Sequence, residues 1–150
     1  MKRINIFSLA IIGLLLFSAS CAKEAEKIEE SFGLVFTVSG DDSWSAKTAE
    51  ATKDGDHYVI TATSDSKVLK MYIKDFTKGK YSFNDTLNHA TYNNGSSEFV
   101  SSITADSYVE ITNIHSDGVH FDGKFNLAPL VDSSSNIKNL NGNWANATKK

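Results

Sequence analysis

The sequence predicts an all-β fold, an antiparallel β-sandwich of about eight or nine short strands, with a small β-barrel as the second choice. Three observations predict it. Apolar and polar residues alternate with period two in short runs. Turn signals rich in Gly, Asn and Asp separate those runs about every 8–12 residues. Beyond residue 32 no helical periodicity lasts longer than about two turns.

The elements follow in order. Leu34, Phe36 and Val38 alternate with Val35, Thr37 and Ser39. Gly40-Asp41-Asp42 interrupts the run, and Trp44, Ala46 and Thr48 resume it. The turn Asp54-Gly55-Asp56 leads into the β-branched and aromatic stretch Tyr58–Thr63. Leu69, Met71 and Ile73 form an apolar face opposite Lys70, Tyr72 and Lys74. Lys78-Gly79-Lys80 turns the chain into Tyr81-Ser82-Phe83, and His89 to Tyr92 forms a short strand before Asn93-Asn94-Gly95. Phe99 to Ile103, Tyr108 to Ile114, Val119 to Leu127 and a last run from Asn139 to Ala145 complete the set. Pro129, the single proline, is expected to end the strand before it, because it cannot donate to a ladder.

The hairpin at Ser116-Asp117-Gly118 can be given a register. A three-residue loop with Gly in its last position pairs His115 with Val119. It sets Val109 opposite Phe125 and Ile111 opposite Gly123 on one face, and Glu110 opposite Lys124 on the other.

The N-terminus carries an address. Lys2 and Arg3 precede an apolar stretch from Ile4 to Phe17, about 14 residues long, which is a signal-peptide length rather than a membrane span. Small residues follow, and then Cys21, the single cysteine. The expected organisation is a signal peptide over 1–20, a lipidated cysteine and charged tether over 21–32, and one β-sandwich domain over 33–150. Cleavage between Ser20 and Cys21 exposes a new amine beside a thiol. The thiol takes a diacylglycerol and the amine takes an acyl chain such as palmitate, enough for stable membrane attachment. Ala22 to Glu30 is too charged to pack and reads as a solvated tether.

Composition narrows the partners. Without residues 1–20 the chain has 13 basic and 18 acidic residues, a net charge of −5. That balance, with no basic patch, excludes nucleic acid as a partner. No cysteine remains to staple the domain, so an apolar core must hold it. Nine Phe, five Tyr and two Trp can supply one, even after the signal takes Phe7 and Phe17.

Several segments resemble known patterns. Ser18-Ala19-Ser20-Cys21 resembles the lipobox of bacterial lipoproteins, with Ser18 where Leu is usual. The charged run after Cys21 is similar to an export signal of Gram-negative surface lipoproteins. It implies an outer-membrane protein at the cell surface rather than on the periplasmic face. Asp85-Thr86-Leu87 is similar to an O-glycosylation acceptor of bacteria that share this signal, which makes Thr86 a candidate for modification. In the body, Asp41-Asp42-Ser43-Trp44-Ser45-Ala46, Gly79-Lys80-Tyr81 and Ala90-Thr91-Tyr92 resemble "W-x-A", "G-x-Y" and "A-x-Y" steps. Ile111-Thr112 with Gly123-Lys124-Phe125, and Asn141-Gly142-Asn143-Trp144, resemble "I-T … G-x-F" and "N-G-x-F" steps. Taken in order over about residues 34–146, they resemble a family of small, lipid-anchored, all-β envelope proteins without an assigned activity. The resemblance implies a fold and an anchor, and it brings no catalytic residues.

Chemistry-bearing constellations are sparse. The histidines are His57, His89, His115 and His120. In the register above, His115 and His120 point to opposite faces, so no metal site is expected from them. Asp41-Asp42 and Asp54-Gly55-Asp56 lack the spaced ligands and closing Glu of a calcium loop, leaving calcium open only if loops converge. There is no nucleophile elbow, zinc-protease motif or phosphate loop, so neither an enzyme nor a cofactor is expected. Trp44 and Trp144 are candidates for sugar or partner contact, although their phase favours the core or its rim.

The expected function is therefore a lipid-anchored display domain that binds or scaffolds an envelope protein, a glycan or a secreted protein. A small envelope enzyme acting on glycans and a barrel carrying an apolar ligand are the alternatives. Convergent acids in a cleft would favour the enzyme, and an apolar cavity the carrier.

Overall fold

The alternation resolves into strands along residues 35–83, 87–104 and 106–150, which the computed structural model describes. The expected signal peptide, Ser20, Cys21, the tether and Thr86 lie outside the described residues. The strands are β1 (Val35–Gly40), β2 (Trp44–Ala46), β3 (Ala49–Asp54), β4 (His57–Ser64), β5 (Lys67–Ile73) and β6 (Gly79–Ser82). They continue as β7 (His89–Asn93), β8 (Glu98–Ser101), β9 (Tyr108–Ile114), β10 (His120–Asp132) and β11 (Ile137–Lys149).

The described chain is all-β, with two layers. The eleven described strands form one continuous sheet in which β10 and β11 also pair; β2-β1-β11-β10-β9-β6 make one layer of it and β3-β4-β5-β7-β8 the other. The layers join at two corners. The last residues of β10, Leu130 to Asp132, pair with β8. The last residues of β11, Thr148 and Lys149, pair in parallel with Glu50 and Ala51 of β3. Tracing the pairs gives a closed ring through β3, β4, β5, β7, β8, β10 and β11. Sandwich and barrel are thus combined: β1 and β2 extend the shared hairpin on one side, β9 and β6 on the other.

The core is one apolar cluster drawn from both layers, including Phe36, Phe125 and Trp144 from the first and Ile60, Leu69, Met71 and Tyr92 from the second. The rings of Phe36, Phe125 and Trp144 stack with centroids 5.7–6.4 Å apart. Two glycines make the space. Gly123 lies opposite Trp144 and Gly142 opposite Phe125 in the β10–β11 register. A Cβ on Gly123 would stand 2.0 Å from the Trp144 ring, and one on Gly142 would stand 2.0 Å from the Thr37 carbonyl oxygen and 2.7 Å from the Phe125 ring. Each aromatic ring therefore lies over bare backbone on the neighbouring strand. The "G-x-F" and "G-x-W" steps in the sequence are the two halves of this interlock.

Both ends of the core are closed by polar or cationic groups. Asp42, in the turn between β1 and β2, accepts from Lys67 Nζ at 2.6 Å and from the Tyr92 hydroxyl at 2.5 Å. Burial pushes the Asp42 carboxyl up, but these two donors outweigh it and hold it below its ordinary value. Burial and Asp42 both push the Tyr92 hydroxyl up, so it stays protonated and donates. At the other end Lys149 places its ammonium over Phe76 at 4.7 Å and over Tyr58 at 5.3 Å.

Several expectations need correction. Ala49–Asp54 is a strand that the alternation did not mark, because Ala49 and Ala51 fill the inward positions without β-branched or aromatic bulk. β11 extends beyond Asn139–Ala145 at both ends. Pro129 does not end β10, which continues to Asp132. It sits, after a cis peptide bond, where the β10–β11 register shifts between Leu127 and Leu130. There the fully buried Ser107 hydroxyl accepts from Ala128 N–H and donates to Ala128 C=O, satisfying both backbone groups of Ala128 where the ladder is interrupted.

The β9–β10 hairpin keeps the expected pairs Val109–Phe125, Glu110–Lys124 and Ile111–Gly123. Lys124 Nζ reaches Glu110 at 3.2 Å. Beyond Ile111 the register shifts by one, leaving Thr112 as a bulge, so His115 meets His120 rather than Val119. Asp117 closes the longer loop by accepting from Val119 N–H and His120 N–H.

Candidate functional site

The candidate site lies on the outer face of the second layer. Alternation along β5 sends Leu69, Met71 and Ile73 into the core and leaves Val68, Lys70 and Tyr72 outside. Cross-strand register then decides their neighbours. Lys70 pairs with Thr91 of β7, Val68 with Asn93, and Tyr72 with His89. Asn93 in turn pairs with Glu98 of β8. Val68, Lys70, Tyr72, Thr91, Asn93 and Glu98, together with Ser66 and Gly95 from two loops, line an open groove of about 480 Å³. That volume falls within the range of small-molecule sites, about 300–1,000 Å³.

The rim of the groove is closely packed and hydrogen-bonded. Gly95 has φ 94°, which favours glycine, and a Cβ there would stand 2.7 Å from Ser66 Oγ. The two rim loops therefore touch through a position that has no room for a side chain. Asn93 Oδ1 accepts from Gly95 N–H at 2.7 Å, and Asn94 Oδ1 accepts from the N–H groups of Ser96 and Ser97. The Tyr72 ring lies flat on His89, with centroids 4.1 Å apart and planes 7° from parallel. His57 meets His89 edge-on at 6.4 Å. Burial first, and then the neighbouring His57, push the His89 imidazole below its ordinary value.

The groove's polar groups are uncommitted. Ion pairs elsewhere on the domain include Lys67–Asp42, Lys124–Glu110 and Lys150–Glu50. Among the described residues, Lys70, Glu98, Thr91 and Ser66 have no side-chain hydrogen-bond or ion-pair partner, and neither does the Asn93 amide nitrogen. Donors and acceptors of several kinds thus face one open space on a fixed frame. Such an arrangement can hold a polar ligand, and it contains no aligned nucleophile and base.

The histidines are arranged differently from expectation. The bulge at Thr112 brings His115 and His120 opposite each other, with rings 6.2 Å apart. Each is committed to its own aspartate. His115 Nε2 lies 3.1 Å from both Asp122 oxygens, and His120 Nδ1 lies 2.5 Å from Asp117 Oδ2. Asp122 also accepts from Asn146 N–H at 2.8 Å and from Asn113 Nδ2 at 3.3 Å. Burial pushes its carboxyl up, and these donors, led by Asn146 N–H, hold it lower than usual. Hydrogen bonds from His120 and Val119 likewise pull the Asp117 carboxyl down. Among the described residues no group of three or more His, Cys, Asp or Glu is placed to hold a metal ion. Asp41 accepts from Asn139, and Asp42 is engaged by Lys67 and Tyr92.

The tryptophans take the core and core-rim positions that their phase favours. Trp144 is 2% exposed and cannot serve as a contact platform, because it fills the space above Gly123. Trp44 is half-buried, between Phe36 at 6.0 Å and Tyr92 at 6.2 Å. The groove residues Lys70, Thr91, Asn93 and Glu98 were not singled out by the sequence. Their period-two phase marks a wet face, but only the pairing of β5 with β7 and β8 gathers them.

No curated protein and no solved structure matches the chain. A family model does match, from the first residue of β1 into the bulged end of β11. Over residues 35–146 it is the one described as a domain of unknown function, DUF6252, and the chain belongs to that family.

Proposed function

We propose that this chain is a lipid-anchored envelope lipoprotein of the outer membrane, displayed at the cell surface, whose non-catalytic β domain binds an extracytoplasmic partner. The observation that carries the binding reading is the open polar groove on β5, β7 and β8, with its uncommitted side chains. The stacked rings of Phe36, Phe125 and Trp144 fill the centre of the fold, which supports a docking module over a carrier of apolar ligands. The anchor rests on Cys21 directly behind the apolar run Ile4–Phe17.

Replacing Cys21 tests the anchor. Cys21→Ala removes the acylated thiol without touching any residue of the β domain. The variant is expected in the soluble fraction, with the thermal midpoint of the parent domain. Recovery in the membrane fraction would refute the anchor. Protease treatment of intact cells tests display: the wild-type domain is expected to be cleaved while periplasmic proteins survive. Protection until the outer membrane is opened would place it on the inner leaflet.

A further inference from the structure

We propose that the groove on β5, β7 and β8 is a subsite for a short, uncharged oligosaccharide. This rests on the reading of the domain as a binding module and names the chemistry of its ligand.

The lining selects by elimination and by fit. Val68 is the one aliphatic side chain in it, so an apolar ligand would gain little. Lys70 and Glu98 oppose each other in sign, so neither an anion nor a cation finds a complementary field. A peptide adding a strand needs an open sheet edge. β5 is paired on both sides by β4 and β7, β7 by β5 and β8, and β8 by β7 and β10. What remains is a ligand with many neutral hydroxyls, each able to donate and accept.

The groove offers such a ligand a matching set. Lys70 and the Asn93 amide nitrogen donate, Glu98 accepts, and the hydroxyls of Thr91 and Ser66 do either. Tyr72, stacked on His89, adds an aromatic side chain to the lining. Because the frame is already fixed by the Asn93 and Asn94 turn bonds, little order has to be created on binding.

Calorimetric titration of the full chain in detergent micelles tests this, with maltotetraose, cellotetraose and tetra-N-acetylchitotetraose as probes. At least one probe is expected to bind with a dissociation constant of about 1 mM or below. Lys70→Met, Glu98→Leu and Thr91→Val should each weaken it about tenfold, by loss of a hydrogen bond, and leave the melting midpoint unchanged. No heat with any of the probes at about 10 mM would overturn the proposal. So would equal binding by all the substituted proteins, or tighter binding of a sulfated tetrasaccharide. The titration does not depend on where the protein resides. If it fails while Cys21→Ala is released from membranes, the ligand class falls and the anchored module stands.

Discussion

Asp122 connects three strands through one carboxylate, taking hydrogen bonds from Asn113 of β9, Asn146 of β11 and His115 at the end of the hairpin. Asp122→Ala is expected to cost about 1–3 kcal/mol, read as a lower midpoint in urea. The loss should also depend on pH. The folded carboxyl sits below its unfolded value of about 3.9, so its stabilisation is complete above about pH 4 and drains as pH falls through the folded value. Between pH 7 and pH 3, wild type should therefore lose more stability than the variant. His89 runs on a different window. Its folded value is depressed, so the unfolded chain takes up the proton first, and stability falls as pH drops below about 6.5. His89→Phe, which keeps an aromatic partner for Tyr72, should flatten that part of the profile. Neither role is visible in the sequence, where both residues are ordinary polar strand positions.

At the level of elements, glycine decides how β10, β11 and β1 pack. Gly142→Ala would press a methyl group against the Thr37 carbonyl, which cannot rotate away, and so push β1 from β11. A loss of about 3 kcal/mol or more is expected in chemical denaturation, at or beyond the usual range for overpacking. Gly123→Ala meets the Trp144 ring and the Glu110 carbonyl, and should lose a similar amount, accompanied by a changed near-ultraviolet signal from the displaced indole. Wild-type stability in either variant would show that the strands can separate at no penalty. The sequence carried more of this than its alternation suggested. Ile111 and Ile114 both contact the core although they stand three positions apart, a spacing that straight period two forbids and the Thr112 bulge explains. Had that spacing been weighted above the loop length, it would have placed His115 opposite His120. The Glu110–Lys124 pair was legible because it lies before the bulge, where burial and charge agree.

At the level of the whole molecule, the ring is closed by a few residues. Thr148 and Lys149 pair with β3, Lys149 N–H donates to Val119 C=O, and Lys150 N–H donates to Ala51 C=O. A chain ending at Ala147 should remain folded but lose about 2–4 kcal/mol, with faster amide exchange at Glu50 and Ala51. An unmoved midpoint would show that closure adds nothing. This contact was not legible, since a parallel pairing between strands about a hundred residues apart leaves no local pattern. The groove was hidden for the same reason, being assembled across strands. The class of fold, by contrast, is a property of each strand taken alone. The β10–β11 hairpin serves both layers, and this gives its glycine–aromatic interlock a role during folding. A slip of one residue would turn the core side chains outward and is excluded by burial. A slip of two keeps every side chain on its proper face, so hydrophobicity cannot reject it. Size can: one such slip sets Phe125 against Trp144, and the other sets Gly123 against Gly142. The first crowds into one place two large rings that each natively face a glycine, and the second leaves a void, so these four residues favour the alignment on which β1, β3, β8 and β9 all depend.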